Sequence, residues 1–297
     1  MIKPVRLLAL IGAALCAAPL CAQVKTEVPP VVAGAKPVGV EHIKIHGAAL
    51  EGNLEGDAVD RDVFVFLPPS YAKEKRRRYP VVYALHGFFI GAEQWSGEIH
   101  VPQTIEGAFA QGAREMIVVL PDSKTVHNGS MYSSSVTTGD FENFIARDVV
   151  SYIDAHYRTL PDKSNTAIAG SSMGGLISLY AALKYPDVFS RAGVFSPALW
   201  FDPPIYSFAR EAAARASGAK LYIVSGGLEA AAGEDAGVYV RDQLRVADSL
   251  EAGGLKQGTN VLSLIRPDGK HAEWFWRREF PAAYLWLFEP TSAKLKD

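Results

Sequence analysis

The chain has 297 residues, 48% of them hydrophobic, with 30 Lys and Arg against 32 Asp and Glu and a formal charge of −2. That length suits one large core of α/β type, and the mild acidity argues against nucleic acid as a partner. Its two cysteines, Cys16 and Cys21, both fall in the first 22 residues.

Residues 1–22 read as an export signal, with Lys3 and Arg6 ahead of a short apolar run at residues 7–15 and a Leu20-Cys21-Ala22 cleavage site before Gln23. The run is too short to span a bilayer, and no later stretch reaches that length. Neither cysteine has the leucine three residues earlier that a lipoprotein box requires; a retained N-terminal anchor is the alternative. The expected location is periplasmic or secreted, with no stable membrane insertion after cleavage. Cleavage removes Lys3 and Arg6, making the charge two units more negative, and leaves no thiol for disulfides, catalysis or metal.

Residues 23–39, rich in Pro, Val, Ala and Gly without a period, predict an extended, poorly ordered lead-in. Short Val/Ile-rich runs predict strands at 41–46, 62–67, 80–85, 116–120, 166–169, 192–195, 220–225 and 261–265. The basic run at residues 73–78 reads as a solvated turn between the second and third. Helical periodicity appears at 141–156, with Asp140 available as a cap, and at 176–184, 238–252 and 274–288. Two hairpin-like strands followed by strand–helix alternation predict a mostly parallel sheet with helices on both faces, in one domain over residues 40–290 with a tail at 291–297.

Chemistry concentrates in Ile168-Ala169-Gly170-Ser171-Ser172-Met173-Gly174-Gly175. Gly-x-Ser-x-Gly between a strand and a helix predicts a sharp elbow presenting Ser172 as a nucleophile, and glycines at −2 and +2 favour it over Ser171. A serine hydroxyl needs a base. His271 lies in the loop after the last strand, on the rim where the C-terminal ends of parallel strands converge. His42, His46, His127 and His156 precede the nucleophile. An acid should follow the intervening strand, where Gly226-Gly227-Leu228-Glu229 places a carboxylate; Glu234 and Asp235 are rivals. The oxyanion donors are expected to be the amides of Met173 and of Phe88, with Phe89 second, leaving His86 a structural role.

These blocks, with Val65-Phe66-Leu67-Pro68-Pro69-Ser70-Tyr71, Tyr79-Pro80-Val81-Val82-Tyr83-Ala84-Leu85-His86-Gly87 and His271-Ala272-Glu273-Trp274-Phe275-Trp276, resemble the esterase-D-like branch of the α/β-hydrolases. Val119-Leu120-Pro121-Asp122, Val136-Thr137-Thr138-Gly139-Asp140-Phe141-Glu142 and Tyr185-Pro186-Asp187-Val188-Phe189 extend the likeness from about residue 40 to 288. That branch includes S-formylglutathione hydrolases, feruloyl and acetyl-xylan esterases, enterochelin-type esterases and mycolyltransferases. The resemblance implies an α/β-hydrolase fold without cofactor or metal, with Ser172 as nucleophile, His271 as base and Glu229 as acid in place of the commoner Asp. It further implies Phe88 and Met173 as oxyanion donors. The expected substrate is a small-molecule or carbohydrate-linked ester.

Among the rim aromatics Phe88, Phe89, Trp95, Tyr132, Trp200, Phe201 and Trp274, Trp95 and Tyr132 are expected nearest the substrate. His42 and His46 share a strand face without a third metal ligand. The alternatives to a hydrolase are an acyltransferase using the same acyl-enzyme, a siderophore trilactone esterase, and a non-catalytic binding protein.

Overall fold

The computed structural model describes residues 26–230, 235 and 237–288. The expected leader (1–22), both cysteines, Glu234 and the tail (291–297) lie outside the described residues. Eight strands form one sheet: β1 (Gly39–His46), β2 (Asp60–Leu67), β3 (Val81–Leu85), β4 (Ile117–Pro121), β5 (Thr166–Ser171), β6 (Arg191–Phe195), β7 (Lys220–Gly226) and β8 (Val261–Arg266). Their order across the sheet is β1-β2-β4-β3-β5-β6-β7-β8. β1–β2 and β2–β4 pair antiparallel, and every other pairing is parallel. Every predicted strand coincides with one of these. They were readable because β3, β4 and β5 are buried throughout and covered on both faces, which demands unbroken apolar runs.

One face carries helix α3 (residues 141–156), α4 (Met173–Lys184), α5 (Ile205–Ala212) and α6 (Val238–Ala252); the other carries α1 (Ala92–Ile99), α2 (Val101–Ala110) and α7 (Glu273–Phe288). In α3 the Asp140 carboxylate accepts the Asn143 amide at 3.0 Å, the predicted cap, and Phe141, Phe144, Ile145, Val149 and Ile153 all face the core. Its middle, Phe144–Val149, is wound as a π-helix.

Periodicity missed α1, α2 and α5. Each has ten residues or fewer, and Gly97, Pro102 and the Pro203-Pro204 pair interrupt the pattern that a longer helix would display. α4 starts three residues before its predicted position, directly after Ser172, so that Gly174 and Gly175 lie within its first turns.

Composition suggested a loose lead-in, yet residues 26–38 are tied down. Thr26 Oγ1 donates to the Glu98 carbonyl at 2.6 Å, the Val38 amide donates to Glu106 at 2.9 Å, and Val32 packs on Gly107. Isolated docking contacts of this kind leave no periodic trace in sequence. Among the described residues no helix is long and apolar enough to cross a membrane.

Candidate active site

At the C-terminal edge of the sheet, β5 runs straight into α4 through Ser172. Its backbone has φ 56° and ψ −117°, a conformation costly for a residue with a Cβ. Neighbouring backbone enforces it. The Ser172 amide donates to the Phe195 carbonyl at 3.0 Å, and its own carbonyl accepts the Ala198 amide at 3.1 Å. A Cβ on Gly170 would come within 2.7 Å of both the Leu85 carbonyl and the Gly174 backbone, and one on Gly174 would press harder still on Leu85. Strand β3 and the start of α4 can approach this closely only through glycine.

The neighbouring Ser171 is fully buried, and its hydroxyl accepts the Trp95 indole N–H at 3.1 Å. Ser172 is only partly buried and lines a cleft of about 670 Å³ together with His271, a cleft whose lining Ser171 also joins. No hydrogen bond joins the two side chains, a looseness common before substrate arrives.

His271 Nδ1 lies 2.9 Å from Glu229 Oε2. The Glu229 side chain is fully buried and faces two further donors: Ser196 Oγ at 2.6 Å and the Gly226 amide, both on Oε1. With Glu229 as an acceptor, the network assigns the imidazole proton to Nδ1 and leaves Nε2 as the basic nitrogen. The Glu229 turn is zipped to the His271 loop by backbone bonds, Gly227 N–H to Arg266 O at 2.7 Å and Leu228 N–H to Gly269 O at 2.9 Å. Gly226 and Gly269 touch backbone to backbone there, which explains the glycines flanking both residues. Asp235 is exposed and paired with Arg241 at 2.8 Å.

Two residues around this pair are given no role by the sequence. Trp276 donates its indole N–H to Ser196 Oγ at 2.8 Å while its ring stands edge-on to the His271 imidazole, with centroids 5.0 Å apart. Tyr239 flanks His271 with a centroid separation of 4.7 Å. Ser196 itself is buried at φ 42°, where a serine is strained. A strained serine hydroxyl that bonds Glu229 and Trp276 together is the kind of residue that only three-dimensional structure exposes.

The Phe89 amide donates to the Asn128 carbonyl at 3.0 Å, whereas the Phe88 amide meets no acceptor among the described residues. The Met173 amide opens α4, where first-turn N–H groups lack helical partners. Both Phe88 and Met173 line the cleft. Beneath them His86 is buried, with Nδ1 against the Gly87 carbonyl at 2.8 Å and Nε2 accepting the Ser123 amide at 3.0 Å. Burial holds its pKa below the ordinary histidine value despite the nearby Asp122. Tyr132 is buried beside it and donates to the His86 carbonyl at 3.0 Å, so it braces this loop and faces a neighbouring cavity rather than the cleft.

The cleft walls are aromatic, with Phe88, Phe89, Trp95, Trp200, Phe201 and Trp276 among them. Trp274 lies outside its lining. His42 and His46 pair with Asp62 and Asp60, respectively, at 2.9 and 2.7 Å on the exposed edge strand.

Residues 58–287 match the family described as "Putative esterase". An endo-1,4-beta-xylanase/feruloyl esterase of Xylanibacter ruminicola is 31% identical over 138 residues, 44% of this chain and 19% of that protein. The chain thus spans about a fifth of that relative's length. The uncharacterized protein YbbA of Bacillus subtilis is 23% identical over 80% of this chain and 97% of its own. Among solved structures, a ferulic acid esterase superposes with a TM-score of 0.72 at 20% identity, covering 85% of this chain and 98% of the other. With the family match covering most of its length and the fold shared, the chain belongs to the "Putative esterase" family of carboxylic ester hydrolases with the α/β-hydrolase fold.

Proposed function

We propose that this domain is an exported serine esterase that cleaves a carboxylic ester through an acyl-enzyme. The observation that carries this reading is the strained Ser172 elbow opening into the same cleft as a His271 imidazole bound through Nδ1 to buried Glu229. His271 Nε2 takes the Ser172 Oγ proton as Oγ bonds to the ester carbonyl carbon. The negative charge passes to the carbonyl oxygen, which the Phe88 and Met173 amides receive. The tetrahedral centre collapses, the carbon–alkoxy bond breaks, and His271 returns its proton to the leaving alcohol. Water repeats the sequence in reverse, releasing the acid and restoring Ser172.

Apolar aromatic walls suit an aromatic acyl group, and feruloyl esterases among the similar proteins favour a hydroxycinnamoyl ester. The residue 1–22 pattern supports a periplasmic or secreted location, where a polymer-linked or diffusible ester would be met.

The test is initial rates on short-acyl and long-acyl p-nitrophenyl esters and methyl ferulate, with Ser172→Ala alongside. Methyl ferulate should lead, and the variant should lose about 10⁴-fold or more. Turnover surviving in Ser172→Ala would remove the mechanism. Added alcohols diverting most product into new ester would make the protein an acyltransferase instead.

A further inference from the structure

The chain contains one Asn-Gly pair, Asn128-Gly129, and one Asp-Gly pair, Asp268-Gly269. Both lie in loops that serve the catalytic groups, the first against Phe88 and the second just before His271. In such pairs the glycine nitrogen can attack the side-chain carbonyl carbon of the residue before it, because no side chain shields the approach. The two sites are held very differently. Arg278 bonds both oxygens of Asp268, with Nη2 on Oδ1 at 3.1 Å, and holds that carboxyl below its usual pKa. An ionised carboxylate is a poor electrophile, and the buried Gly269 N–H is tied to the Arg266 carbonyl at 3.0 Å.

Asn128 has neither guard. It is exposed, its side-chain amide has no hydrogen-bond partner among the described residues, and the Gly129 N–H reaches Thr125 Oγ1 only at 3.3 Å. The loop itself selects the reactive pair. Residue 128 sits at φ 69°, where asparagine is tolerated better than most residues, and a Cβ at residue 129 would come within 2.8 Å of the Phe88 ring. We propose that Asn128 is a site of spontaneous deamidation through which the loop carrying the Phe88 amide ages.

The Gly129 nitrogen loses its proton and bonds to Asn128 Cγ. The bond from Cγ to the side-chain nitrogen breaks, and that nitrogen leaves with a proton as ammonia, closing a five-membered succinimide. Water then opens the ring at either carbonyl. Attack at Cγ gives aspartate, with the main chain unchanged. Attack at the main-chain carbonyl carbon gives isoaspartate, whose chain runs through the former side chain and is one methylene longer. The Asn128 carbonyl accepts the Phe89 amide at 3.0 Å, so aspartate keeps that bond while isoaspartate replaces the carbonyl by a free carboxylate beside a lengthened chain. Gly129 supports the Phe88 ring, and the Phe88 amide is an oxyanion donor on the esterase reading above. A donor displaced by about 1 Å costs about 10²-fold in rate.

The experiment incubates the purified full chain in mildly alkaline and mildly acidic buffer. It follows peptide masses, isoaspartate content and the rate on the best ester of the panel. The Asn128 peptide should gain one mass unit, faster in alkaline buffer, and isoaspartate should map to residue 128 rather than to Asp268. The rate should fall in proportion to isoaspartate and not to total deamidation, the isoaspartyl fraction turning over about 10²-fold more slowly. Protein isoaspartyl methyltransferase with S-adenosylmethionine, which returns isoaspartate to aspartate, should restore it. Asn128→Gly suits the left-handed backbone and cannot form the ring, so it should hold its own starting rate through the same incubation. Equal decay in that variant, or modification without loss of rate, would overturn the link to the Phe88 loop. An Asn128 that stays intact while a free peptide of residues 127–131 converts would overturn the site. The mass shift needs no turnover, so a chain modified at Asn128 but inactive on every ester keeps the site and overturns the esterase reading. Ser172-dependent turnover with an intact Asn128 does the reverse.

Discussion

Ser172 is held by backbone pressed on backbone alone, whereas His271 and Glu229, carried on loops that also meet backbone to backbone, are oriented by bonds between their side chains and that of Ser196. At the elbow, Gly170 and Gly174 bring β5 and α4 against the Leu85 carbonyl, leaving the serine one backbone conformation. On the other arm Glu229 is fixed by Ser196, the Gly226 amide and His271, and the Ser196 and His271 side chains can be removed without moving a strand. The two arms should therefore fail differently: the elbow through stability and all-or-none geometry, the acid–base arm through rate with the fold intact.

The largest effect expected on the acid–base arm is from Glu229→Gln. A neutral amide there can present its NH₂ to Nδ1 and reverse the imidazole tautomer, so kcat should fall about 10³- to 10⁴-fold with KM little changed. Asp235→Asn touches only the exposed pair with Arg241 and should leave kcat within about twofold. Equal losses in the two variants would erase the distinction between the rival acids.

On the elbow, Gly174→Ala should cost about 3 kcal/mol or more of stability in urea unfolding, because its methyl meets the Leu85 and His86 carbonyls rather than a side chain that can swing away. Gly218→Ala supplies the contrast. Nothing lies within 4 Å of a Cβ there, and the change should stay within about 0.5 kcal/mol. If the Gly174 variant kept wild-type stability and activity, the elbow would not be under backbone compression.

The same contrast explains what the sequence disclosed. Backbone compression can be met only by glycine, so the elbow writes itself into the chain as Gly-x-Ser-x-Gly. The unbroken apolar strands likewise follow from a sheet covered on both faces. The Gly226-Gly227 turn and Gly269 marked the acid–base loops for that reason. Nothing linked Ser196 to Trp276: a serine and a tryptophan 80 residues apart carry no period or spacing that predicts their hydrogen bond. Tyr132 was picked out as an aromatic near the site, but its hydroxyl direction, toward the His86 carbonyl, depends on a fold that composition does not encode. α1 and α5 were hidden because two turns of helix broken by Gly or preceded by Pro look like loop.

Ser196 offers a finer test of the side-chain arm. Its hydroxyl donates to Glu229 and accepts from Trp276, while its backbone sits at φ 42°. Ser196→Ala and Ser196→Gly both remove the hydroxyl, but only glycine relieves the backbone. Both should lower kcat by about tenfold, the worth of a hydrogen bond to a charged acceptor, with KM little changed. Ser196→Gly should be the more stable of the two. A glycine variant with full kcat would reduce Ser196 to a packing residue.

The smallest effect concerns the support beneath the Phe88 amide. His86 is buried and neutral in function, with Nδ1–H donating to Gly87 and Nε2 accepting from Ser123. Burial depresses its pKa first; the Arg61 and Lys124 charges push the same way, against Asp122 and the Gly87 carbonyl. Because the folded pKa lies below the unfolded value of about 6.5, the unfolded chain binds the proton more readily. The stabilisation is therefore present in full above that value and is lost as pH falls from it toward the folded pKa. Exposed His46 acts in the opposite sense, since its bonds to Asp60 and Glu51 raise its pKa and favour the fold at low pH. The informative quantity is thus the difference in slope of Tm against pH between wild type and His86→Gln, followed from about pH 7.5 to 5. Wild type should lose Tm more steeply, and the variant's profile should be flatter whatever its absolute stability. Identical slopes would mean that the folded protein binds a proton at His86 as readily as the unfolded chain, so that the Ser123 bond to Nε2, the one protonation removes, does not hold the loop carrying Phe88, and Tyr132 and the Phe89–Asn128 bond hold it instead.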